Sequence, residues 1–510
     1  MSDPREIELK FEVDPTKLAS LKRRVAAMLE LGQASPRHLV SVYYDTPKHA
    51  LRGRGVSLRI RQDGERRLQT LKTDGGLGAG LFDRAEWECE IAGEAPDPDL
   101  FDDPRASRLL RSRGSLAPLF ETRIERTSWT IVAGTGEVEL SIDGGTVSAG
   151  PVSRPVAEIE LELKGGDPVD LFGIARRLAE TGALQIGVTS KSECGYGLLD
   201  GSTAPSAKAG PVALTSKMTA GEAFQAIARS CLRHFRLNEA ILVERRTAES
   251  LHQARVAMRR LRSAFSLFKN VVDDGEVEAL KRELRSLSTL LGVARNLDVY
   301  RERVVGAEME RDAAEPGLAE FAARLGTDRE RAYDQILRKL GSKRFRAFMV
   351  ELSTWVEVGP WLSREVSRGR DDGAWTFAAT ILERRRRRVR TKGRHLDRQS
   401  PDARHQVRID AKKLRYASEF FAELVPGRKR RERHKAFVSA LEQLQSCLGD
   451  LNDIQTGHEL AESLAQSAPA SLLPFAAGHA AGAQDGREEA LVAAAVEAHA
   501  AFAEAKPFWR

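Results

Sequence analysis

Glu158-Ile159-Glu160-Leu161-Glu162-Leu163-Lys164 alternates without a break between charged and branched apolar residues. Glu6-Ile7-Glu8-Leu9-Lys10, far upstream, repeats the pattern and also closes on lysine. Successive side chains of a strand point to opposite faces, so each segment predicts a β-strand with carboxylates on one face and aliphatic residues on the other. Carboxylates two apart on one face repel, and a strand gains nothing from that repulsion. One such segment alone reads first as the wet face of an antiparallel sheet. Two of them in one region predict a divalent cation on hard oxygen ligands (Mg²⁺, Mn²⁺ or Ca²⁺) inside an antiparallel β structure.

The 510 residues are enough for two to four domains with full-sized cores. Basic residues number 80 against 73 acidic ones, so a net charge of only +7 hides a large charge content. Segregation of those charges would point to polyanion contact. Cys89, Cys194, Cys231 and Cys447 lie far apart with no ligand spacing and read as ordinary thiols of a reducing compartment. The chain opens almost directly into a strand, without a signal peptide, and no apolar run approaches the ~20 residues of a membrane span. The expectation is a cytoplasmic protein with no membrane contact.

Period-two texture continues to about residue 200. Val56–Arg61, Arg66–Lys72, Arg84–Ile91, Arg123–Val132, Glu137–Ile142 and Val156–Lys164 read as strands, with helices near Thr16–Glu30 and Val169–Thr181. Residues 201–217, rich in Gly, Pro, Ser and Ala, read as a linker. From 218 to 510 the spacing is helical, punctuated by Gly292, Pro316, Pro360, Pro401, Pro426 and Gly449, with an Ala-rich last helix over about 475–506. The fold class is therefore α+β: a β domain with flanking helices, then an all-α domain. The all-α part holds an internal repeat. His252-Gln253-Ala254-Arg255 and His405-Gln406-Val407-Arg408 open its two copies, and Leu291-Gly292 and Leu448-Gly449 follow at matched distances. Two related bundles, about 218–360 and 374–510, are the natural reading.

In the β domain, Arg59 and Arg61 share a face, Lys72 closes its strand, and Arg84, Glu86, Glu88 and Glu90 alternate; Arg126 and Lys191 stand alone. Taken singly, each is a surface charge. On the inner wall of a closed barrel such charges cannot escape to water, and cations facing metal-bearing carboxylates would suit a polyphosphate. The ordered set resembles the CYTH domains, or triphosphate tunnel metalloenzymes: Glu-x-Glu-x-Lys, Leu58-Arg59-Ile60-Arg61, Thr70-Leu71-Lys72, Arg84-Ala85-Glu86-Trp87-Glu88, the late Glu-Ile-Glu-Leu-Glu-Leu-Lys strand, and Ser190-Lys191 before Gly-Tyr-Gly. The resemblance covers 1–200 and implies an eight-stranded antiparallel tunnel that binds a linear triphosphate with Mg²⁺ or Mn²⁺. It would place Glu6, Glu8, Glu158, Glu160 and Glu162 on metal, and Lys10, Arg59, Arg61, Lys72, Arg126 and Lys191 on phosphate oxygens. Glu86, Glu88 or Glu160 would orient the attacking water, with Lys72 beside them. Family members include inorganic, thiamine and RNA triphosphatases and one class of adenylate cyclases. Aromatic residues are few, and Tyr43-Tyr44-Asp45-Thr46-Pro47 matches a structural strand-turn of the family, so inorganic triphosphate is the economical substrate.

In the helical domain, His252, Arg255, Arg259 and Arg262 form one narrow stripe, and His405, Arg408, Lys412 and Arg415 repeat it; Arg260 and Lys413 flank the stripes. Neither stripe carries the interspersed glutamates of a solvated helix face. Neither histidine has a second ligand at i+4, which argues against zinc. The Arg384–Arg388 run and residues 428–435 add cations that read equally as surface. This half resembles the CHAD domain, which is linked with inorganic polyphosphate; the resemblance implies polyphosphate binding by both stripes and association with polyphosphate granules. Stacking aromatics and groove-reading amides are absent from the stripes, so polyphosphate ranks above nucleic acid. The leading expectation is a metal-dependent inorganic triphosphatase with a polyphosphate-binding module. Adenylate cyclase, thiamine or nucleoside triphosphatase, and a non-catalytic polyphosphate binder are the alternatives.

Overall fold

The computed structural model describes residues 5–74, 78–111, 115–134, 136–201, 204–311, 316–363, 369–467 and 486–510. The chain divides into two compact units: Met1–Pro205 with Leu340–Gly359, and Ser206–Lys339 with Pro360–Arg510.

The first unit is a barrel. Strands β1 (Arg5–Glu12), β2 (Arg37–Asp45), β3 (Val56–Asp63), β4 (Arg66–Thr73), β5 (Leu81–Glu90), β6 (Ala117–Ala133), β7 (Gly136–Ala149) and β8 (Val152–Gly165) pair antiparallel in the order β5-β4-β3-β2-β6-β7-β8-β1. Pairing of β1 with β5 closes the ring, and a two-residue β9 (Gln185–Ile186) adds to the end of β1. All seven expected strands are present, Glu6–Lys10 within β1 included. Three, β6, β7 and β8, run well beyond the expected bounds, and Gly144-Gly145 lies inside β7. There a Cβ on Gly145 would sit 2.0 Å from the Arg123 carbonyl oxygen, so glycine marks a close backbone approach within the ladder. β2 is not among the expected strands, although its end, Tyr43-Tyr44, falls in the expected strand-turn and its run of Leu39-Val40-Ser41-Val42 is rich in β-branched residues.

The barrel is built inside out. Alternate residues of its strands carry charge to the interior, and the intervening apolar residues face outward under helices. Around α2 (Pro104–Arg111), Leu58, Ile60, Leu71 and Trp87 pack with Phe101, Ala106 and Leu110. Phe120, Ile124, Val147 and Val156 pack with Tyr196 of α4 (Lys191–Leu199). Each such side chain, fully buried, contributes about 1.5–3 kcal/mol. α1 (Leu18–Met28) and α3 (Pro168–Ala179) are the helices expected from the sequence, and a capping box of Asp167 with Asp170 starts α3. α4 starts on a second box, Ser190 with Glu193, which fixes Lys191 at the helix entrance.

The second unit is helical. It holds α5 (Ala220–Arg245), α6 (Ala248–Leu267), α7 (Val277–Tyr300), α8 (Gly306–Arg311) and α9 (Pro316–Gly341). The next helix, α10 (Lys343–Val358), belongs to the first unit, where it packs on α3 and β9. Arg176 grips Glu351 there with two bonds of 2.9 and 2.7 Å. The helical series resumes with α11 (Ala374–Lys392), α12 (Pro401–Phe420), α13 (Arg428–Ser467) and α14 (Glu488–Glu504). Pro316 and Pro401 open α9 and α12 as expected, whereas Gly292 and Gly449 lie within α7 and α13 and break neither. The expected Ala-rich helix is α14, and residues 475–485 lie outside the described residues. The segment read as a linker is not free chain beyond Ser206: Ala207 exchanges hydrogen bonds with Asn238 of α5, and Val212 and Leu214 are buried. Among the described residues no helix is long and apolar enough to cross a membrane.

Candidate functional site

The barrel interior is a cavity of about 510 Å³ whose lining is mainly polar. Ten cationic and eight acidic side chains face it, so the charges nearly balance in number but not in position. Arg59 and Arg61 of β3 and Arg37 of β2 occupy one arc; Glu6 and Glu8 of β1 and Glu160 and Glu162 of β8 occupy the other. Charges of this kind cost several kcal/mol each to remove from water, so a barrel keeps them only where they are mutually compensated or serve a ligand.

Two networks compensate most of them. In the first, Lys72 lies 2.7 Å from Glu6 and 3.0 Å from Glu86, and Arg84 reaches Glu6 at 2.7 Å and Glu8 at 3.3 Å. Burial alone would push Glu6 up, but Lys72 and Arg84 hold its carboxyl well below the usual range. In the second, Lys191 Nζ sits 2.8 Å from Asp143, 2.6 Å from Glu158 and 2.7 Å from Glu160. Lys10 takes the other Glu158 oxygen at 2.7 Å, and Arg126 forks onto Asp143 at 2.7 and 2.6 Å while also reaching Glu160.

What remains uncompensated defines the chemistry. Glu8 stands directly opposite Glu162 across the β1–β8 ladder, a like-charge pair in which Glu162 has Lys164 at 2.6 Å and Glu8 has the 3.3 Å contact with Arg84. Burial, then Glu160 and Glu6, push the Glu8 carboxyl up to about 8. This wall lacks one cation, and its oxygen donors suit a hard divalent ion. Asp143, Glu158 and Glu160 bring carboxylate oxygens within 4.8 Å of one another, close enough to hold such an ion. Both oxygens of Glu158 meet lysines, and both oxygens of Glu6 and of Glu160 likewise meet cations. On the opposite arc, Arg59 and Arg61 have no ion-pair partner among the described residues, and Arg59 Nε is buried without a hydrogen bond. Burial, then Arg59 and Arg126, lower Arg61 to about 10. Arg59 meets instead the phenol of Tyr43, its cross-strand neighbour. Burial would raise that phenol, but Arg59, Arg61 and Lys191 pull it below the ordinary tyrosine value. This wall lacks anions.

The helical unit carries a second imbalance. α6 and α12 pack together, and Arg255, Arg259, Arg408 and Lys412 converge where they meet. Arg255 and Lys412 have no ion-pair partner among the described residues. Arg259 bonds the Tyr416 hydroxyl at 2.8 Å, and Arg408 has only Asp453 at 4.0 Å. Burial, then Arg259, Arg408 and Arg255, push the Lys412 ammonium down to about 6. The two repeats meet this cluster in the same way. A Cβ on Gly292 of α7 would lie 3.7 Å from the Arg255 guanidinium, and one on Gly449 of α13 would lie 3.7 Å from Arg408. The paired Leu-Gly segments are therefore the seats of the two arginines.

Comparison with known proteins matches the CYTH domain model to residues 4–196 and the CHAD domain model to residues 226–462. The chain carries a CYTH domain followed by a CHAD domain. An inorganic triphosphatase of Haemophilus influenzae is 33% identical over 193 residues, a match spanning 38% of this chain and 54% of that protein's length. An uncharacterized protein of Mycobacterium tuberculosis is 26% identical over 442 residues, 81% of this chain and 82% of its own. The crystal structure of the CHAD domain from the plant Ricinus communis aligns with a TM-score of 0.51 at 30% identity, covering 59% of this chain and 98% of that one.

Within the CYTH tunnel the structure brings Glu6, Glu8, Lys10, Arg59, Arg61, Lys72, Glu86, Glu88, Arg126, Glu160, Glu162 and Lys191 to one cavity. Three neighbours escaped the sequence reading. Arg84 appeared there only as part of an alternating strand. Tyr43 was taken for turn structure. Asp143 was missed, though it alternates with Ser141 in β7 and lies opposite Glu158. In the CHAD helices the stripes split. Arg260 is buried, paired with Glu419 at 2.6 Å and stacked 4.9 Å from the Phe420 ring; Arg415 pairs with the same Glu419 at 2.8 Å. Arg262 faces Arg285 instead, and Lys413 faces Arg385, Asp410 and Arg388. His405 bonds Asn452, whereas the Nδ1 of His252 is buried without a partner and faces Arg295, the residue that occupies the Asn452 position of the first repeat. Arg295, unmarked by the stripe spacing, thus joins the cluster. Arg385 and Arg386 of the arginine run are buried, Arg386 on the Ala503 and Ala505 carbonyls, so part of that run is packing and not free cation surface.

Proposed function

We propose that the CYTH tunnel hydrolyses inorganic triphosphate to pyrophosphate and phosphate with Mg²⁺ or Mn²⁺, and that the CHAD cluster binds inorganic polyphosphate. The observation that carries the first part is the cavity's opposed deficits: a carboxylate wall short of a cation faces a guanidinium wall short of anions. A metal–triphosphate complex supplies both. The named activity of the Haemophilus relative supports the same reading.

In this mechanism Arg59, Arg61 and Arg126 fork onto phosphate oxygens, Lys10, Lys72 and Lys191 neutralise them as point charges, and the Tyr43 hydroxyl donates from the same wall. Glu6, Glu8, Glu160 and Glu162 would hold the divalent ion, which supplies charge neutralisation and a more acidic bound water. Glu160 would have to yield Lys191 or Arg126 to take the ion, whereas Glu86 meets Lys72 on one oxygen and Glu88 accepts from Thr70 on one oxygen, so orientation of the attacking water falls to Glu86 or Glu88. Phosphoryl transfer passes through a loose, in-line transition state, for which fixed cations and positioning supply most of the rate. Among the described residues the aromatic rings at the cavity are Tyr43, stacked on Phe120 at 4.7 Å, and Phe82, beneath Arg84, and both are buried. Neither offers an exposed platform for a base or thiazole, which favours inorganic triphosphate over nucleotide cyclisation or thiamine triphosphate.

The purified chain, given tripolyphosphate, ATP and thiamine triphosphate with Mg²⁺, Mn²⁺ or Ca²⁺, should release phosphate mainly from tripolyphosphate. The double variant Glu6→Gln, Glu8→Gln should remain folded and lose that release. Cyclic AMP as main product, or full activity in the double variant, would overturn the proposal.

A further inference from the structure

A serine or threonine inside a helix commonly returns its hydroxyl to the carbonyl four residues earlier. Thr354 of α10 does so, bonding the Val350 carbonyl at 2.8 Å. Its neighbour Ser353, equally buried, does not. Ser353 donates to the Ala79 carbonyl at 3.0 Å, a partner 274 residues away. The next carbonyl along, that of Gly80, accepts from the Lys10 amide at 2.9 Å, and the Lys10 carbonyl accepts from the Gly187 amide at 2.9 Å. A relay of three hydrogen bonds thus runs from α10 through the corner before β5, across the backbone of Lys10, to the segment that leads into Lys191. Lys10 and Lys191 are the two buried ammonium groups that share Glu158. α10 also packs directly on β9, which immediately precedes Gly187.

We propose that Ser353 is a positioning residue of the tunnel. It belongs to the CHAD stretch by sequence, yet it fixes the Ala79-Gly80 corner and, through the Lys10 backbone, sets where the Lys10 and Lys191 ammonium groups stand to grip triphosphate. The inference rests on the triphosphatase reading for its kinetic consequence, and on geometry alone for its structural one. Of the fixed cations, Lys10 and Lys191 are held by Glu158 and grip the triphosphate alike in the ground and transition states, so a change in where they stand raises KM more than it lowers kcat.

The test uses the full chain. Ser353→Ala should raise the KM for tripolyphosphate at least fivefold with kcat changed less than twofold, and Ser353→Thr, which keeps the donor, should restore KM. Hydrogen exchange of the Lys10 and Gly187 amides should quicken in Ser353→Ala by tenfold or more and return in Ser353→Thr. Glu351→Gln, which breaks only the exposed pair with Arg176 on the same helix, should alter neither. If Ser353→Ala does not fold, Ser353→Cys keeps the volume, weakens the donor and carries the same readouts. Wild-type KM and wild-type exchange in a folded Ser353→Ala would overturn the proposal. If the parent chain released no phosphate, the triphosphatase reading would fall, and the exchange result would still decide the role of Ser353.

Discussion

Glu8 and Arg61 state the tunnel's two needs at the level of single side chains. The folded value of Glu8, about 8, lies above the 4.5 of a free glutamate. From pH ~4.5 upward the unfolded chain gives up a proton that the folded chain keeps. The metal-free protein therefore loses stability as pH rises through that window to ~8. Glu8→Gln removes this term. At pH 8.5 in chelator the variant should be more stable than the parent by on the order of 2–4 kcal/mol in urea unfolding. Added Mg²⁺ should stabilise the parent and not the variant. Arg61 makes the complementary case. Arg61→Gln removes a charged group that only an anion would satisfy, so it should raise the KM for tripolyphosphate by roughly 10–100-fold, with no loss of thermal stability.

Among elements, the strands were the most legible. Alternation found β1 and all of β3 to β8 because a barrel with a charged lumen and an apolar coat writes a clean period of two. The same rule, carried one residue further along β7, would have found Asp143. Gly144-Gly145 concealed how far β7 runs, since the reason for those glycines is a neighbouring carbonyl that no local pattern records. On the helices, spacing located the stripes but not their division. A ten-residue step drifts about 80° around a helix, so Arg415 turns toward Glu419, beside the flanking Arg260, while Arg255, Arg259 and Lys412 face the cluster. This division is testable. Arg260→Met takes the buried guanidinium off the Phe420 ring and leaves Glu419 to Arg415 alone, so it should destabilise the fold by about 1–2 kcal/mol and leave polyphosphate affinity at fixed salt within threefold. Arg255→Gln should lower that affinity at least tenfold with little change in stability. The reverse pattern, read by calorimetry and filter binding, would sink the assignment of the cluster.

Across the whole molecule the two sites should answer to different reagents. Chelation with EDTA should abolish phosphate release from tripolyphosphate and leave polyphosphate binding intact, because the CHAD cluster has cations to offer and no carboxylate wall. Acidity should act the other way round. Lys412, at about 6, faces Arg259, Arg408, Arg255 and Asp453. An incoming polyanion favours its charged form, so above pH ~6 binding takes up a proton. Affinity should then fall as pH rises from 6 to 8, by up to roughly tenfold per unit. Calorimetry in buffers of different ionisation heat would register the proton, and Lys412→Arg should flatten the dependence. His252, lowered to about 4 by burial and Arg295, stays neutral throughout this range and does not compete for the assignment.

The placement of α10 also bears on how the protein is made. A ribosome delivers the eight barrel strands well before it delivers Lys343–Val358, and all of Ser206–Lys339 emerges in between. At roughly 5–20 residues per second that is a delay on the order of ten seconds. During it the nascent barrel carries an uncovered surface at β9 and α3, and Ala79 waits for its donor. Assembly of this chain is therefore not strictly vectorial, and the tunnel matures only after most of the first helical repeat has been synthesised.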